Sequence, residues 1–323
     1  MTSRLVLFII ASLAVVLTRC GGLNVSLLPE TKPLVEQTLE GDGNPKILLI
    51  DLDGIISFKE EQEGLIMKKS SKVAYFREVL RKAEADSNVA GVVIRINSPG
   101  GTVSASDAIY HEIIRFRQKR NVPVYAYIME IGASGGYYVA CAAERIVASP
   151  TAITGSIGVV AMKLNIEGLL SKIGISNETY KSGPKKDFWS PFRPSTPEEQ
   201  QMFQEIIDKL YVRFVNVVQL NRQKYLTEQQ VKTLADGRIM TAGDAAMVKL
   251  IDQVAYLDDT VESMKKSLNL KNAKVVTYSR SKDFKSNIYS EMPITPQVIN
   301  LISINSDELA LFSGTQFMYL WSR

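Results

Sequence analysis

Ser134 lies in Gly132-Ala133-Ser134-Gly135-Gly136, between a run that reads as a strand and a run that reads as a helix. A serine at a helix N-terminus feels the positive end of the helix dipole, and a glycine after it leaves a backbone N–H open to a developing oxyanion. Those are the needs of a nucleophile, although the same residues would also make a plain helix cap in a glycine-rich turn. Two further small-residue loops have a comparable setting. Asn97-Ser98-Pro99-Gly100-Gly101 closes another strand ahead of a helix and can turn N–H groups into a cleft, while Gly and Pro also serve tight turns for conformational reasons alone. Thr154-Gly155-Ser156-Ile157-Gly158 is the third, and close packing of backbone at a strand would explain it equally.

A serine nucleophile needs a base. The chain has one histidine, His111, and in the helical run from Ala105 to Arg120 it projects away from the apolar face set by Ala105, Ile109, Ile113 and Phe116. It reads as a solvated side chain rather than a triad member, and one histidine excludes metal sites built from several. Lysine remains, because desolvation can lower its pKa until the neutral amine accepts a proton. Lys181, Lys185 and Lys186 stand together in Tyr180-Lys181-Ser182-Gly183-Pro184-Lys185-Lys186-Asp187, which would otherwise read as a solvated charged loop.

The elements that must position these residues follow from periodicity. At 323 residues, 46% hydrophobic and 22% charged, the chain has globular composition and enough length for one large domain or two smaller ones. Aliphatic runs Ile47 to Leu52, Val89 to Ile96 and Val122 to Ile128 alternate with helical spacing at Val73, Phe76, Val79 and Ala83 and over Ala105 to Arg120. Such βαβαβ alternation requires crossovers, and it predicts a parallel sheet with helices on its faces and the site at strand C-terminal ends. A helix over Tyr137 to Glu144, strands over Arg145 to Ala148 and Ile153 to Val160, and a long helix opened by the capping box Thr196-Pro197-Glu198-Glu199 come next. A helical pair over Thr227 to Ala235 and Ala242 to Leu250 and a late strand over Lys274 to Tyr278 complete the body. Residues 280 to 300 read as loop.

Lysines and arginines are interspersed with glutamates and the net charge is +4, so no basic stripe suggests nucleic acid as a partner. Two cysteines, Cys20 and Cys141, cannot make a disulfide framework, and Cys141 reads as a small buried thiol. At the N-terminus Arg4 precedes an uncharged stretch from Leu5 to Thr18. This is shorter than the roughly 30 Å hydrocarbon core at about 1.5 Å per residue, and it reads as a signal sequence or short anchor. Leu17-Thr18-Arg19-Cys20-Gly21 is similar to a lipoprotein signal, with Arg19 where a small residue is expected. The expected organisation is a signal or anchor segment over 1–20, a spacer over 21–45, the folded body over 46–279 and a C-terminal extension over 280–323.

Taken jointly, INSPGG, GASGGYYVACAAERIVASPTAITGSIGVV and YKSGPKKDFWSP resemble the signal peptide peptidase A family in order and separation, over about residues 46 to 256. Phe317 to Trp321 is similar to that family's C-terminal tail. The resemblance implies an α/β fold of Clp-protease and crotonase type, with repeated ββα-type units and a mostly parallel sheet covered by helices. It implies a Ser-Lys dyad that hydrolyses peptides, with Ser134 as nucleophile, Lys186 as base and Ser156 orienting the lysine. Gly101 and the N–H of Gly135 match the oxyanion hole. No cofactor or metal is implied. This single-domain form resembles the members that assemble into a ring, where serine and lysine can come from neighbouring subunits. The implied place is the bacterial cell membrane, through the N-terminal segment or lipid on Cys20, with an exported catalytic domain acting on signal-peptide remnants. Two other readings remain: a non-catalytic peptide-binding membrane scaffold, and a crotonase-type acyl-CoA enzyme that would need no serine. The intact Ser134, Lys186 and Ser156 weigh against both.

Overall fold

The structure, a computed structural model, describes residues 33–63, 67–280, 287–290 and 317–321. The segment expected to be a signal or anchor, with Cys20, lies outside these residues. Among the described residues no helix is long and apolar enough to cross a membrane.

In chain order the elements are β1 (Val35–Glu40), β2 (Lys46–Asp53), β3 (Glu61–Glu63), β4 (Met67–Lys69), α1 (Lys72–Ala85), β5 (Val89–Ser98), β6 (Gly100–Thr102) and α2 (Val103–Arg120). Then come β7 (Val124–Ala133), α3 (Gly135–Ala140), β8 (Arg145–Ala148), β9 (Ile153–Gly155), α4 (Glu167–Lys172) and α5 (Pro197–Arg222). The chain closes with α6 (Glu228–Leu234), β10 (Ile239–Thr241), α7 (Ala242–Met247), β11 (Gln253–Val254), α8 (Leu257–Ser267), β12 (Lys274–Ser279) and β13 (Met318–Leu320).

The main sheet runs β1-β12-β2-β5-β7-β8-β11, with β9 on the end of β7 and β10 on β9, and its pairings are parallel except for those of β1 and β10, which are antiparallel. Its central strands are nearly continuous aliphatic runs because both faces are covered. Successive side chains point to opposite faces, so Leu48, Ile50, Val92, Ile94, Ala126 and Ile128 meet α1, α2 and α5, while Ile47, Leu49, Val93, Tyr125, Tyr127 and Val147 meet α8. The α5 capping box forms as its sequence requires, with Glu199 N–H on Thr196 Oγ1 at 3.2 Å and Thr196 N–H on Glu199 Oε2 at 2.9 Å. At its far end Arg222, 2% exposed, donates to Asp252 Oδ2 at 2.9 Å and to the Lys249 carbonyl at 2.8 Å, tying α5 to the end of the sheet.

Three readings change. The body begins before Lys46, because β1 lies within the stretch expected to be spacer; it pairs through its backbone at a sheet edge and buries little beyond Leu34 and Leu39, so no apolar alternation announced it. The strand expected over Ile153 to Val160 is β9 alone, stopping at Gly155. The stretch beyond 280 contributes to the body at two described places. Ile288 is buried against the outer face of the sheet, its carbonyl accepting from Arg95, and β13 pairs with β6.

Gly100 and Gly101 are where three backbones converge. Ile56 donates to the Gly100 carbonyl at 2.9 Å and accepts from Thr102 N–H at 2.9 Å. A Cβ on Gly101 would stand 2.0 Å from the Ile56 oxygen, and one on Gly100, whose φ is +107°, would stand 1.9 Å from the Tyr319 oxygen. Neither neighbour is a side chain that can swing away. Gly101→Ala should therefore lower stability by about 2 kcal/mol or more, the scale of overpacking in a filled interior. Urea unfolding of the full chain checks this, and an unchanged midpoint would contradict the close approach.

Candidate active site

Ser134 sits where β7 ends and α3 begins, 1% exposed. Its backbone, at φ 52° and ψ −114°, lies outside the regions that L-residues ordinarily occupy, at a cost of about 1–3 kcal/mol. Two bonds hold it there: Ser134 N–H donates to the Gly155 carbonyl at 2.8 Å and Tyr138 N–H donates to the Ser134 carbonyl at 2.8 Å. Its side chain makes no capping bond to α3, so the helix-cap alternative does not describe it. Ser156, the residue after Gly155, also has positive φ at 51° and is 8% exposed, with its N–H on the Arg238 carbonyl at 2.7 Å. Ser134 and Ser156, each of positive φ, thus directly follow the paired residues Ala133 and Gly155 at the ends of β7 and β9.

The third loop arrives from β5. Ser98 is fully buried, and its Oγ donates to the Gly54 carbonyl at 2.6 Å while accepting Gly100 N–H at 3.1 Å. That serine turn fixes the peptide leading to Gly101, and a Cβ on Gly100 would lie only 2.7 Å from the Gly135 nitrogen. Ser134, Gly135, Gly101 and Ser156 are therefore brought to one place at strand C-terminal ends, as the alternation of elements predicted.

Strand β13 lies along β6 with Tyr319 opposite Gly101. Val103 N–H donates to the Phe317 carbonyl at 3.1 Å and Trp321 N–H to the Pro99 carbonyl at 2.9 Å, which makes Gly101 and Tyr319, midway between, the kind of antiparallel pair that exchanges both bonds. The Tyr319 oxygen also stands 3.0 Å from where a Cβ of Gly135 would be. The Tyr319 ring is fully buried, stacked on Tyr138 at 5.0 Å and tilted on Phe214 at 4.5 Å, with its hydroxyl on the Leu210 carbonyl at 2.9 Å.

The lysines are elsewhere. Lys181 pairs with Asp187 at 2.7 Å and Lys185 pairs with Glu198. Lys186 is exposed, in a turn whose N–H bonds run to Gly183 at 3.1 Å, and among the described residues its amine has no ion pair or hydrogen bond and does not reach Ser134. Sequence reasoning passed over two residues beside it. Arg193 holds Asp187 through two side-chain bonds of 2.7 and 2.8 Å and Glu199 through two of 2.8 and 2.5 Å. Its guanidinium, with Lys181 second, holds the Asp187 carboxyl well below the usual range, and with the Thr196 N–H it brings Glu199 down to about 2. Lys163 donates to the Arg193 carbonyl and Ser195 Oγ, both at 2.9 Å, and burial, then the charge of Arg193, lowers its pKa. Neither sits in a motif with a recognisable spacing. His111 is exposed on α2, and Cys141 is buried, its thiol pushed up to about 12 by that burial. Among the described residues no group of acidic, cysteine or histidine side chains could hold a metal ion.

The sequence profile of peptidase family S49 matches residues 116–271, and that of Clp protease matches residues 65–154. A protein of Enterococcus faecium named as a signal peptide peptidase SppA is 38% identical over 246 residues, covering 76% of this chain and 70% of its own. A protein of Methanocaldococcus jannaschii named as a protease is 35% identical, covering 73% of this chain and 75% of its own. Among solved structures, a membrane-bound stomatin-specific protease aligns with a TM-score of 0.42 at 15% identity, over 68% of this chain and 84% of that one. The parallel sheet, the glycine loops at its C-terminal edge, the two family profiles and the two sequence relatives agree: the chain has a Clp-protease-like α/β fold, and it belongs to peptidase family S49 as a serine protease.

Proposed function

We propose that the protein is a membrane-associated endopeptidase with a Ser-Lys dyad, degrading cleaved signal peptides and other short or unfolded apolar polypeptides. The observation that carries this reading is β13 on β6. An extended antiparallel segment already lies along the glycine edge, with its Tyr319 carbonyl beside Gly101 and Gly135 and its ring in an apolar seat. A peptide substrate added in place of β13 would present its scissile carbonyl to the same N–H groups, gaining affinity from main-chain bonds and selectivity from apolar pockets. Ser134 Oγ attacks that carbonyl as Lys186 takes the hydroxyl proton. The N–H groups of Gly101 and Gly135 receive the oxyanion, the C–N bond breaks, and the lysine returns the proton to the leaving amine. Water then hydrolyses the acyl-enzyme, and Ser156 orients the lysine.

Lys186 is preferred because Lys181 and Lys185 are each engaged by a carboxylate, whereas among the described residues Lys186 is not. It also lies on an exposed stretch carrying Leu164 at 57%, Leu169 at 61%, Ile173 at 60% and Ile175 at 52% exposure. Apolar surface on that scale calls for a partner. In this reading a second copy of the chain covers it, the assembly is a ring, and Lys186 serves the Ser134 of its neighbour. The membrane link is the N-terminal segment or lipid on Cys20, with the catalytic body exported.

Ser134→Ala should lose at least about three orders of magnitude in peptide turnover, the scale of other nucleophile deletions. Retained hydrolysis by that variant, with a serine-reactive phosphonate labelling some other residue, would remove the assignment.

Single Lys→Met changes at 163, 181, 185 and 186 identify the base. Only Lys186→Met should be inactive, and wild-type turnover should rise with pH because only a neutral amine accepts the proton. Mixing Ser134→Ala with Lys186→Met chains should restore activity where the dyad is shared. A dead Lys163→Met beside an active Lys186→Met transfers the role.

Substrate class is checked by giving the full chain a synthetic signal peptide, an unfolded polypeptide and a compact folded domain. The first two should be cut and the third spared. Rapid cutting of the folded domain with the apolar peptide left whole would overturn the substrate class and leave the serine chemistry standing.

A further inference from the structure

The turn that carries Lys186 belongs to no strand and to no helix, so something else must fix where the amine is presented. Its internal bonds are short-range: Phe188 N–H to the Lys185 carbonyl at 3.2 Å and Ser190 N–H to the Asp187 carbonyl at 2.9 Å. Three sets of contacts reach outward, one of them the exposed ion pair of Lys185 with Glu198 of α5. Phe188 and Trp189 lie on Phe203 of α5 at 4.3 and 3.8 Å between ring centroids. Asp187, the residue after Lys186, is held by Arg193, which at the same time grips Glu199.

Glu199 is not an arbitrary acceptor. It is the capping-box residue of α5, 5% exposed in its side chain, and it simultaneously accepts the Thr196 N–H. Arg193 therefore couples the turn to the first turn of a helix whose other end is locked by Arg222 and Asp252 inside the body. The coupling needs a guanidinium. Its planar fork gives each carboxylate two bonds at once, four in all, more than the three N–H donors of an ammonium can supply. Lys163, donating to the Arg193 carbonyl, and Lys181, donating to Asp187, complete the cluster around it.

We propose that Arg193 is a positioning residue of the hydrolytic site: by bridging Asp187 and Glu199 it fixes the turn that presents Lys186 to the serine. The inference rests on Lys186 being the base. Displacing a base by about 1 Å costs up to about a hundredfold in rate without weakening substrate binding.

Peptide kinetics of full-length Arg193→Gln, Arg193→Lys, Lys186→Met and the Arg193→Gln/Lys186→Met double variant, each confirmed folded by thermal unfolding, test it. Arg193→Gln should lower kcat about 10- to 100-fold with KM unchanged, and Arg193→Lys should recover only part of that loss. On the Lys186→Met background the arginine change should cost nothing more, because a group acting through Lys186 has no effect once it is gone. A wild-type kcat in folded Arg193→Gln, or losses that multiply in the double variant, would overturn the positioning role while leaving the base assignment intact. An active Lys186→Met would instead remove the base and this inference with it. Should Arg193→Gln not fold, Asp187→Asn, which keeps the Arg193–Glu199 bridge, carries the same expected fall in kcat, and a wild-type kcat there overturns the proposal.

Discussion

The hydrogen bond from Ser134 N–H to the Gly155 carbonyl is the constraint on which the site depends. Strand β7 is paired by β8 over Tyr125 to Ile128 and by β9 over Ile131 to Ala133. The bond at Ser134 carries the second ladder one residue past the strand, at the point where α3 must already begin. Extended pairing and helical geometry cannot both be satisfied by ordinary dihedral angles. The conflict is resolved at Ser134 by positive φ, which turns the serine out of the ladder at the mouth of the sheet. Such strain persists only where the surroundings over-determine it. Here they do, since α3 is wholly buried and Tyr137 and Tyr138 anchor it to the Leu250 carbonyl and to Asp107.

Once that corner is fixed, the adjoining loop has little freedom. The glycine edge at Gly100 and Gly101 has to pass between Ile56 and β13 with no room for a side chain, and Ser98 holds the turn by serving as donor and acceptor at once. The outcome is a row of backbone groups whose positions are set by strands on both sides rather than by loop conformation. Rigid donors of this kind need no reorganisation as charge develops on an oxygen, which is where most of their value to acyl transfer lies.

How much of this was legible in sequence follows from where the determinants lie. The parallel core was readable because strands buried on both faces are aliphatic runs and the helices between them keep their spacing; the start of α5 was readable to the residue because Thr196, Pro197 and Glu199 cap it chemically. Ser134, Gly135, Gly101 and Ser156 could be singled out only jointly: each loop alone reads equally as a cap, a turn or close backbone packing, and it was the order and separation of the three motifs that resembled a known family. Strand β1 could not, since an edge strand held by backbone bonds leaves almost no side-chain pattern. Strand β13 and the buried Ile288 were missed for a related reason: each is short, lies far along the chain from what it touches, and is specified by the partner surface. Arg193 carried no motif at all. Its importance comes from two carboxylates six residues away on either side, and spacing of that kind belongs to neither a helix nor a strand.

The contrast between the two halves of the candidate site has a physical reason. Ser134 and its N–H neighbours are inside the body, where burial and backbone pairing hold them; the Lys186 turn lies at the surface, where Phe188 and Trp189 on Phe203 supply its aromatic anchorage. Placing the exposed residues of such a turn accurately calls for polar groups as well, and isolated surface ion pairs contribute little. A guanidinium shared by two carboxylates that are themselves largely covered differs from an isolated pair, because geometry and charge are satisfied together. The pH range of that clamp follows from the sign of its shifts. Glu199 has its folded pKa depressed from 4.5 to about 2, so its contribution is complete above its ordinary value and is lost as pH falls toward the depressed one. Asp187 shifts in the same direction. The clamp is therefore fully formed throughout the alkaline range in which a lysine base gains activity, so the group that fixes the turn and the group proposed to do the chemistry impose no conflicting demand on pH.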